Sequence, residues 1–316
     1  MRILLTGGAG FIGSHLAESL LRDGHEIDCL DNFNDYYDPA IKRSNILIAL
    51  QHPSFMLTQG DILDLPELQH HFETRRYDTV VHLAARAGVR PSIQDPLLYE
   101  KVNVQGTMHL LEMCKQHKVR KFVFASSSSV YGAKTKVPFS ESDPVDNPIS
   151  PYAATKKAGE LICHTYHHLY DISVTCLRFF TVYGPRQRPD MAIHKFANLI
   201  YEGKPVAVFG NGTSKRDYTY IDDIIQGLRA SIDKCEGYHI YNLGESNTVE
   251  LNQLLDLIQE ALGKKAIIEH LPDQLGDVPI TFADITRAKE ELNYNPQTAI
   301  EEGIERFVKW FKQTQL

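Results

Sequence analysis

The chain opens Met1-Arg-Ile-Leu-Leu-Thr-Gly-Gly-Ala-Gly-Phe-Ile-Gly13, and this stretch decides the fold. Ile3 to Leu5 reads as a short buried strand that runs straight into glycines at 7, 10 and 13, and a helical pattern continues from Phe11 through Leu21. Gly7 permits a tight turn, Gly10 lets backbone approach a pyrophosphate at the helix N-terminus, and Gly13 lets the helix pack on the strand. A glycine triad alone is a weak signal. Here a second strand, Glu26-Ile-Asp-Cys-Leu-Asp31, ends in a carboxylate about twenty residues on. Asp31 in that place accepts hydrogen bonds from adenosine ribose hydroxyls and repels a ribose phosphate, which favours NAD over NADP. The competing reading is a capping Asp in a strand-to-loop turn.

Strand and helix then alternate. Phe55-Met-Leu-Thr58 runs into Gly60-Asp61-Ile62, and Asp78-Thr-Val-Val-His82 into Leu83-Ala84-Ala85. Lys121-Phe-Val-Phe-Ala125 leads to a serine run, and Ser173-Val-Thr-Cys-Leu-Arg178 to Phe179-Phe180-Thr181. Helices are expected near 66–75, 96–117 and 152–169. Such alternation means a parallel sheet covered on both faces, with ligands gathered beyond the strand carboxyl ends. Past Pro185 the rhythm breaks into a helix near 192–202, a Pro/Gly-rich segment at 203–217 and a helix near 249–262. The expected architecture is therefore α/β. A doubly wound, Rossmann-type parallel sheet over 1–185 holds the dinucleotide, and a smaller α+β substrate lobe spans 186–316, with a strand near 238–243 returning to the main sheet.

With 316 residues, 43% of them hydrophobic, the chain can bury one large or two modest cores. A formal charge of −7 leaves no electrostatic footprint for nucleic acid. No apolar run approaches a membrane span and Met1 leads directly into a strand the fold needs, so a cytoplasmic protein without a membrane partner is expected. Cysteines at 29, 114, 163, 176 and 235 are odd in number and lack ligand spacing, which reads as reduced core thiols. Cys163, His164, His167 and His168 offer ligands four apart on a helix, but no third ligand is evident; packing is the simpler reading and no metal is expected.

The chemistry lies in Ser126-Ser127-Ser128-Ser129-Val130-Tyr131-Gly132, followed by Tyr152-Ala-Ala-Thr-Lys156. Four residues apart on a helix, Tyr152 and Lys156 share a face, so the ammonium can lower the phenol's pKa and give a phenolate base. A serine hydroxyl from the preceding strand end completes the constellation by bonding the substrate oxygen whose proton the phenolate takes. Removal of a proton from a carbinol is the implied chemistry.

These motifs, together with Asn103-Val-Gln-Gly-Thr107, Arg178 to Pro185, Arg216-Asp-Tyr218 and Gly276-Asp-Val278, make nearly the whole chain resemble the extended short-chain dehydrogenase/reductases, specifically the nucleotide-sugar 4-epimerases. Within them it most resembles the UDP-glucuronate 4-epimerases, through Ala87-Gly-Val-Arg90, Arg188-Pro-Asp-Met-Ala192 and Gly276-Asp-Val-Pro-Ile-Thr281. The resemblance implies that Tyr152 is the base, that Lys156 lowers its pKa and bonds the nicotinamide ribose, and that Ser127 is the hydroxyl partner. Cofactor contacts would come from Gly7, Gly10, Phe11, Ile12, Gly13, Asp31 and Asn32. Asp61 and Ile62 would flank the adenine, Leu83, Ala84 and Ala85 would line the pyrophosphate and ribose channel, and Phe179 would lie near the nicotinamide. Arg216 would clamp the UDP diphosphate and Asp277 would approach the uridine ribose. Asn103 carries over either as a helix-lining amide or as a substrate contact. Two departures stand out: Gln274 replaces an arginine, and Thr181 replaces an asparagine, of the galactose-type epimerases. Both speak against a neutral UDP-hexose.

By that resemblance Tyr152 takes the 4-hydroxyl proton while NAD takes the hydride, and a 4-keto sugar turns over before the hydride returns. A 4-keto uronate is a β-keto acid, so its carboxylate must be kept from aligning for loss of CO₂; Arg188 with Ser128, Ser129 and Thr181 are the groups assigned to it. Related dehydratases carry an acidic pair, and related uronate decarboxylases a glutamate, where Ser128 and Ser129 stand. Epimerisation is therefore expected over a UDP-uronate decarboxylase or a dehydratase, and the intact Ser127, Tyr152 and Lys156 argue against a non-catalytic NAD-sensing protein. Relatives pair the helices equivalent to 96–117 and 152–169 between subunits, which implies a homodimer.

Overall fold

Seven parallel strands form the central sheet of the computed structural model, which describes residues 1–134, 136–272 and 278–315. In chain order the strands are β1 (Arg2–Thr6), β2 (Glu26–Asp31), β3 (Phe55–Gln59), β4 (Thr79–His82), β5 (Lys121–Ser127), β6 (Ser173–Phe179), β7 (Thr181–Tyr183), β8 (Pro205–Phe209), β9 (Lys215–Arg216), β10 (Tyr218–Tyr220), β11 (Tyr238–Leu243), β12 (Val249–Glu250) and β13 (Ile267–Leu271). The main sheet runs β11-β6-β5-β4-β1-β2-β3. Its inner strands are buried on both faces, as the continuous apolar runs of β1, β4 and β5 require. Between β1 and β4 the strand order reverses, which opens a crevice beyond their carboxyl ends.

The helix Phe11–Arg22 follows β1 so closely that a Cβ on Gly13 would stand 2.3 Å from the Gly7 carbonyl oxygen and 2.7 Å from Gly8 Cα. Only glycine permits that approach. The expected helices are found at Leu65–Thr74 and Pro151–Tyr170. The 96–117 stretch is helical throughout but carries a wide π turn at Lys101–Gln105 between Pro96–Glu100 and Gly106–His117. Asn103, described below, lies at its centre.

The expected return of β11 to the main sheet occurs, parallel to β6. Its crossover is the helix Ile221–Asp233, whose strongly one-sided apolar residues pack against the first helix. One apolar cluster runs from Ile3 and Leu5 through Ile224 and Leu228 to Phe307 and Phe311. Small ladders, β7 with β10, β8 with β13 and β9 with β12, build the remaining lobe, so the segment 203–217 is more structured than its prolines and glycines suggest. Among the described residues no helix is long and apolar enough to cross a membrane. All five cysteines are buried and free, and His164 and His167 pack their rings on Tyr238.

Candidate active site

The cleft beyond β1, β4, β5 and β6 encloses about 430 Å³. Gly10 is the N-cap of the helix Phe11–Arg22; it offers no side-chain cap, and no acid stands in the first turn, so the first helical N–H groups face the cleft ready for an anion. Phe11, Ile12, Leu83, Ala84 and Ala85 give it apolar walls. Asp31 ends β2, its carboxylate accepting from Ala9 N at 3.1 Å and Phe33 N at 2.9 Å. The capping role considered for it is therefore real, yet it also lines the cleft, and a carboxylate has lone pairs beyond two. Asn32 donates to Asp61 at 2.9 Å, and Asp61 caps Leu63 N at 2.9 Å beside Ile62, which makes a flat apolar seat at the end of β3. A glycine-rich helix start, a carboxylate at the end of β2 and an apolar seat together fit a dinucleotide.

Tyr152 stands in the first turn of Pro151–Tyr170, which begins sharply because Ser150 accepts from Ala153 N at 3.1 Å and Pro151 occupies the first helical position. Burial pushes the phenol above its ordinary pKa, against the lowering effect of a Ser127 hydrogen bond and the nearby charge of Arg188. Lys156 lines the cleft one turn on from Tyr152. Its ammonium donates to the Ala125 carbonyl at 2.7 Å, which anchors it to β5, and lies 6.0 Å from the Tyr152 ring centre. Burial brings Lys156 itself down to about 8. All four serines line the cleft with Phe179 and Thr181, but the Ser126 hydroxyl is taken by Glu160 at 2.7 Å.

Arg188 is no ordinary surface arginine. It lines the cleft near Tyr152, stacks over the Tyr36 ring at 5.7 Å, and gives Nε and Nη2 to Asp190 at 2.9 Å each. Arg216 lines the adjoining hollow with Arg90, Thr281 and the shared Ser128, Ser129 and Thr181. Gln274 and Asp277 lie outside the described residues.

Of the two roles open for Asn103, the structure has the helix-lining amide: it is buried and absent from the cleft walls. Its buried amide accepts from Arg86 N at 2.8 Å and donates to Arg86 O at 3.0 Å and Thr155 Oγ1 at 3.1 Å, which ties the π turn to the helix Pro151–Tyr170. Behind it runs a hydrogen-bond chain of one direction. Ala84 N–H donates to Thr6 Oγ1 (3.3 Å), Thr6 meets His82 Nδ1 (2.8 Å), His82 Nε2 meets Thr107 Oγ1 (3.0 Å), and Thr107 donates to the Asn103 carbonyl (2.6 Å). Since Thr107 gives its proton to a carbonyl, His82 must donate from Nε2 and accept at Nδ1. Residues that sequence reasoning passed over include Tyr36, Lys42 and Asp190; the aromatic and polar run Asn32 to Asp38 after β2 was the available signal for the first.

The model of the NAD dependent epimerase/dehydratase family matches residues 3–244. A UDP-glucuronate 4-epimerase of Thermodesulfobacterium geofontis is 47% identical over 311 residues, covering 98% of this chain and 96% of that one. The crystal structure of a UDP-glucuronic acid 4-epimerase from Bacillus cereus, in complex with UDP-glucuronic acid and NAD, superimposes with a TM-score of 0.94 at 38% identity, covering 99% of this chain and 100% of that chain. A UDP-glucose 4-epimerase from Thermotoga maritima superimposes at 0.92 with 32% identity, each chain fully covered. The chain belongs to the NAD dependent epimerase/dehydratase family.

Two variants test the site. Tyr152→Phe should lower turnover by about 10²–10⁴-fold while bound NAD, measured by absorbance after denaturation, is retained; a loss below about tenfold would remove the phenol from the chemistry. Asp31→Ala should weaken NAD retention and narrow its preference over NADP, and an unchanged preference would leave Asp31 a turn residue only.

Proposed function

We infer that this chain is an NAD-dependent isomerase that interconverts UDP-glucuronate and UDP-galacturonate through a 4-keto intermediate. The observation that carries the uronate assignment is a guanidinium and four hydroxyls, Arg188 with Ser127, Ser128, Ser129 and Thr181, lining one cleft with Tyr152. NAD supplies the hydride acceptor and, on the return, the hydride donor. Tyr152 takes the 4-hydroxyl proton and gives it back; Ser127 bonds the same oxygen and keeps it aimed at the phenol. Lys156, fixed on Ala125 O, presents its remaining donors to the nicotinamide ribose.

The carboxylate at carbon 6 is held by Arg188. Asp190 takes Nε and Nη2, which fixes the guanidinium plane and leaves Nη1 for a substrate oxygen. Ser128, Ser129 and Thr181 hold the carboxylate away from alignment with the 4-keto group, so the intermediate keeps its CO₂. No carboxyl side chain stands at 128 or 129 to protonate a leaving hydroxyl, which favours epimerisation over dehydration. Arg216 serves the diphosphate from the adjoining hollow.

The protein works in the cytoplasm as a homodimer. Leu97 and Leu161 are 79% and 57% exposed on the helical stretches 96–117 and 151–170, with Met108 and Leu169 also uncovered, an apolar strip suited to a second copy. Light scattering at micromolar concentration should give twice the monomer mass, and a monomer mass would overturn the dimer.

The activity is tested by incubating the protein with UDP-glucuronate, UDP-glucose and UDP-N-acetylglucosamine and reading 4-epimers by NMR; conversion of the uronate should dominate, and a neutral sugar converted faster would overturn the assignment. Arg188→Ala should damage uronate turnover about tenfold or more beyond its effect on neutral sugars, since a charge-assisted bond is worth roughly 1.5–3 kcal/mol. Equal losses would move Arg188 to the diphosphate.

A further inference from the structure

Two fully buried charges lie outside the groups assigned so far: Glu160, 0% exposed, and Arg178, 1% exposed. Glu160 follows Tyr152 and Lys156 at four-residue intervals on one helix, so it shares their face a turn below the lysine. Arg178, on β6, donates Nε to Glu160 Oε1 at 2.8 Å and Nη2 to Oε2 at 2.9 Å. The third donor, Nη1, reaches Tyr131 OH at 3.0 Å, and that hydroxyl donates to Asn242 on β11 at 2.7 Å. Ser126 donates to Glu160 Oε1 at 2.7 Å. Lys157 adds a weaker contact with Glu160 at 3.6 Å.

One ion pair therefore grips the serine turn at both ends, Ser126 before it and Tyr131 after it, while Ser127, Ser128 and Ser129 lie between. A buried pair of this kind is often no more stable than apolar residues of the same volume, because both charges lose their water. What an apolar pair could not supply is direction. Two bonds of fixed geometry to Ser126 and Tyr131 set how far the turn stands above the Tyr152–Lys156 face.

We propose that Arg178 and Glu160 are positioning residues for the epimerisation, their ion pair holding the Ser127–Ser129 turn at the height and angle that Tyr152 requires. This rests on Ser127 being the phenol's partner, as proposed above, and on wild-type turnover of UDP-glucuronate, which is measured first; absence of that turnover would sink the activity reading and is distinct from every result below.

The test compares Arg178→Met, the double variant Glu160→Leu/Arg178→Met, and Ser126→Ala, which leaves the ion pair whole. Each is assayed for kcat, KM, bound NAD and thermal midpoint. Arg178→Met should lose stability and at least about tenfold in kcat, since misplacing a reacting group by about an ångström has effects of that order. The double variant should regain at least half of the lost midpoint, because no charge is left buried alone, yet keep the deficit in kcat with KM and NAD content within about threefold of wild type. Ser126→Ala should lose about threefold or more in kcat with its midpoint little changed. A double variant whose kcat returns together with its midpoint would reduce the pair to a packing device and overturn the proposal. Should both Arg178 variants fail to fold, Ser126→Ala decides alone, and a wild-type kcat there overturns it.

Discussion

Everything at this site depends on the strands being parallel. A parallel strand presents its carboxyl end on the same edge as its neighbours, so β1, β2, β4, β5 and β6 deliver Gly7, Asp31, Leu83, Ser127 and Phe179 to one edge of the sheet without any loop having to search for it. The order reversal between β1 and β4 then parts the connections and leaves room for a long ligand. Helices supply what strands cannot, an N-terminus aimed into the cleft and a face on which two side chains a turn apart stand together.

What could be read from the sequence was of this same local kind. The glycines at 7, 10 and 13, the carboxylate ending β2 and the Tyr152–Lys156 interval each follow from a backbone requirement or a helical period, and each is found where expected. The parts that were not legible depend on pairings distant in sequence. Asn103 looks like a candidate ligand until Arg86 and Thr155 are seen to consume its amide. Nothing in the order of residues says that the Ser126 hydroxyl is taken, since that is decided by a glutamate 34 positions away. The Arg188–Asp190 pair is short in sequence, yet its meaning comes from Tyr36, brought over it from the other end of the chain.

The electrostatics are arranged in two compartments. Facing the cleft are the groups that must respond to a ligand: the Tyr152 phenol held high by burial, Lys156 brought low by it, and Arg188 balanced by Asp190. Behind them, Glu160 and Arg178 form a closed pair whose charges cancel locally.

His82 shows the same division carried further. Burial brings its pKa down to about 3, and both ring nitrogens are engaged by threonine hydroxyls whose own protons are already assigned. An imidazole is ordinarily the side chain through which a protein senses the acidity of the cell. Here it is deaf to that signal. Reversing its single orientation would require both threonine hydroxyls to turn at once and Thr107 to give up the Asn103 carbonyl, so the ring behaves as a polarised spacer of fixed length, transmitting alignment from the first strand to the far helix and never a proton.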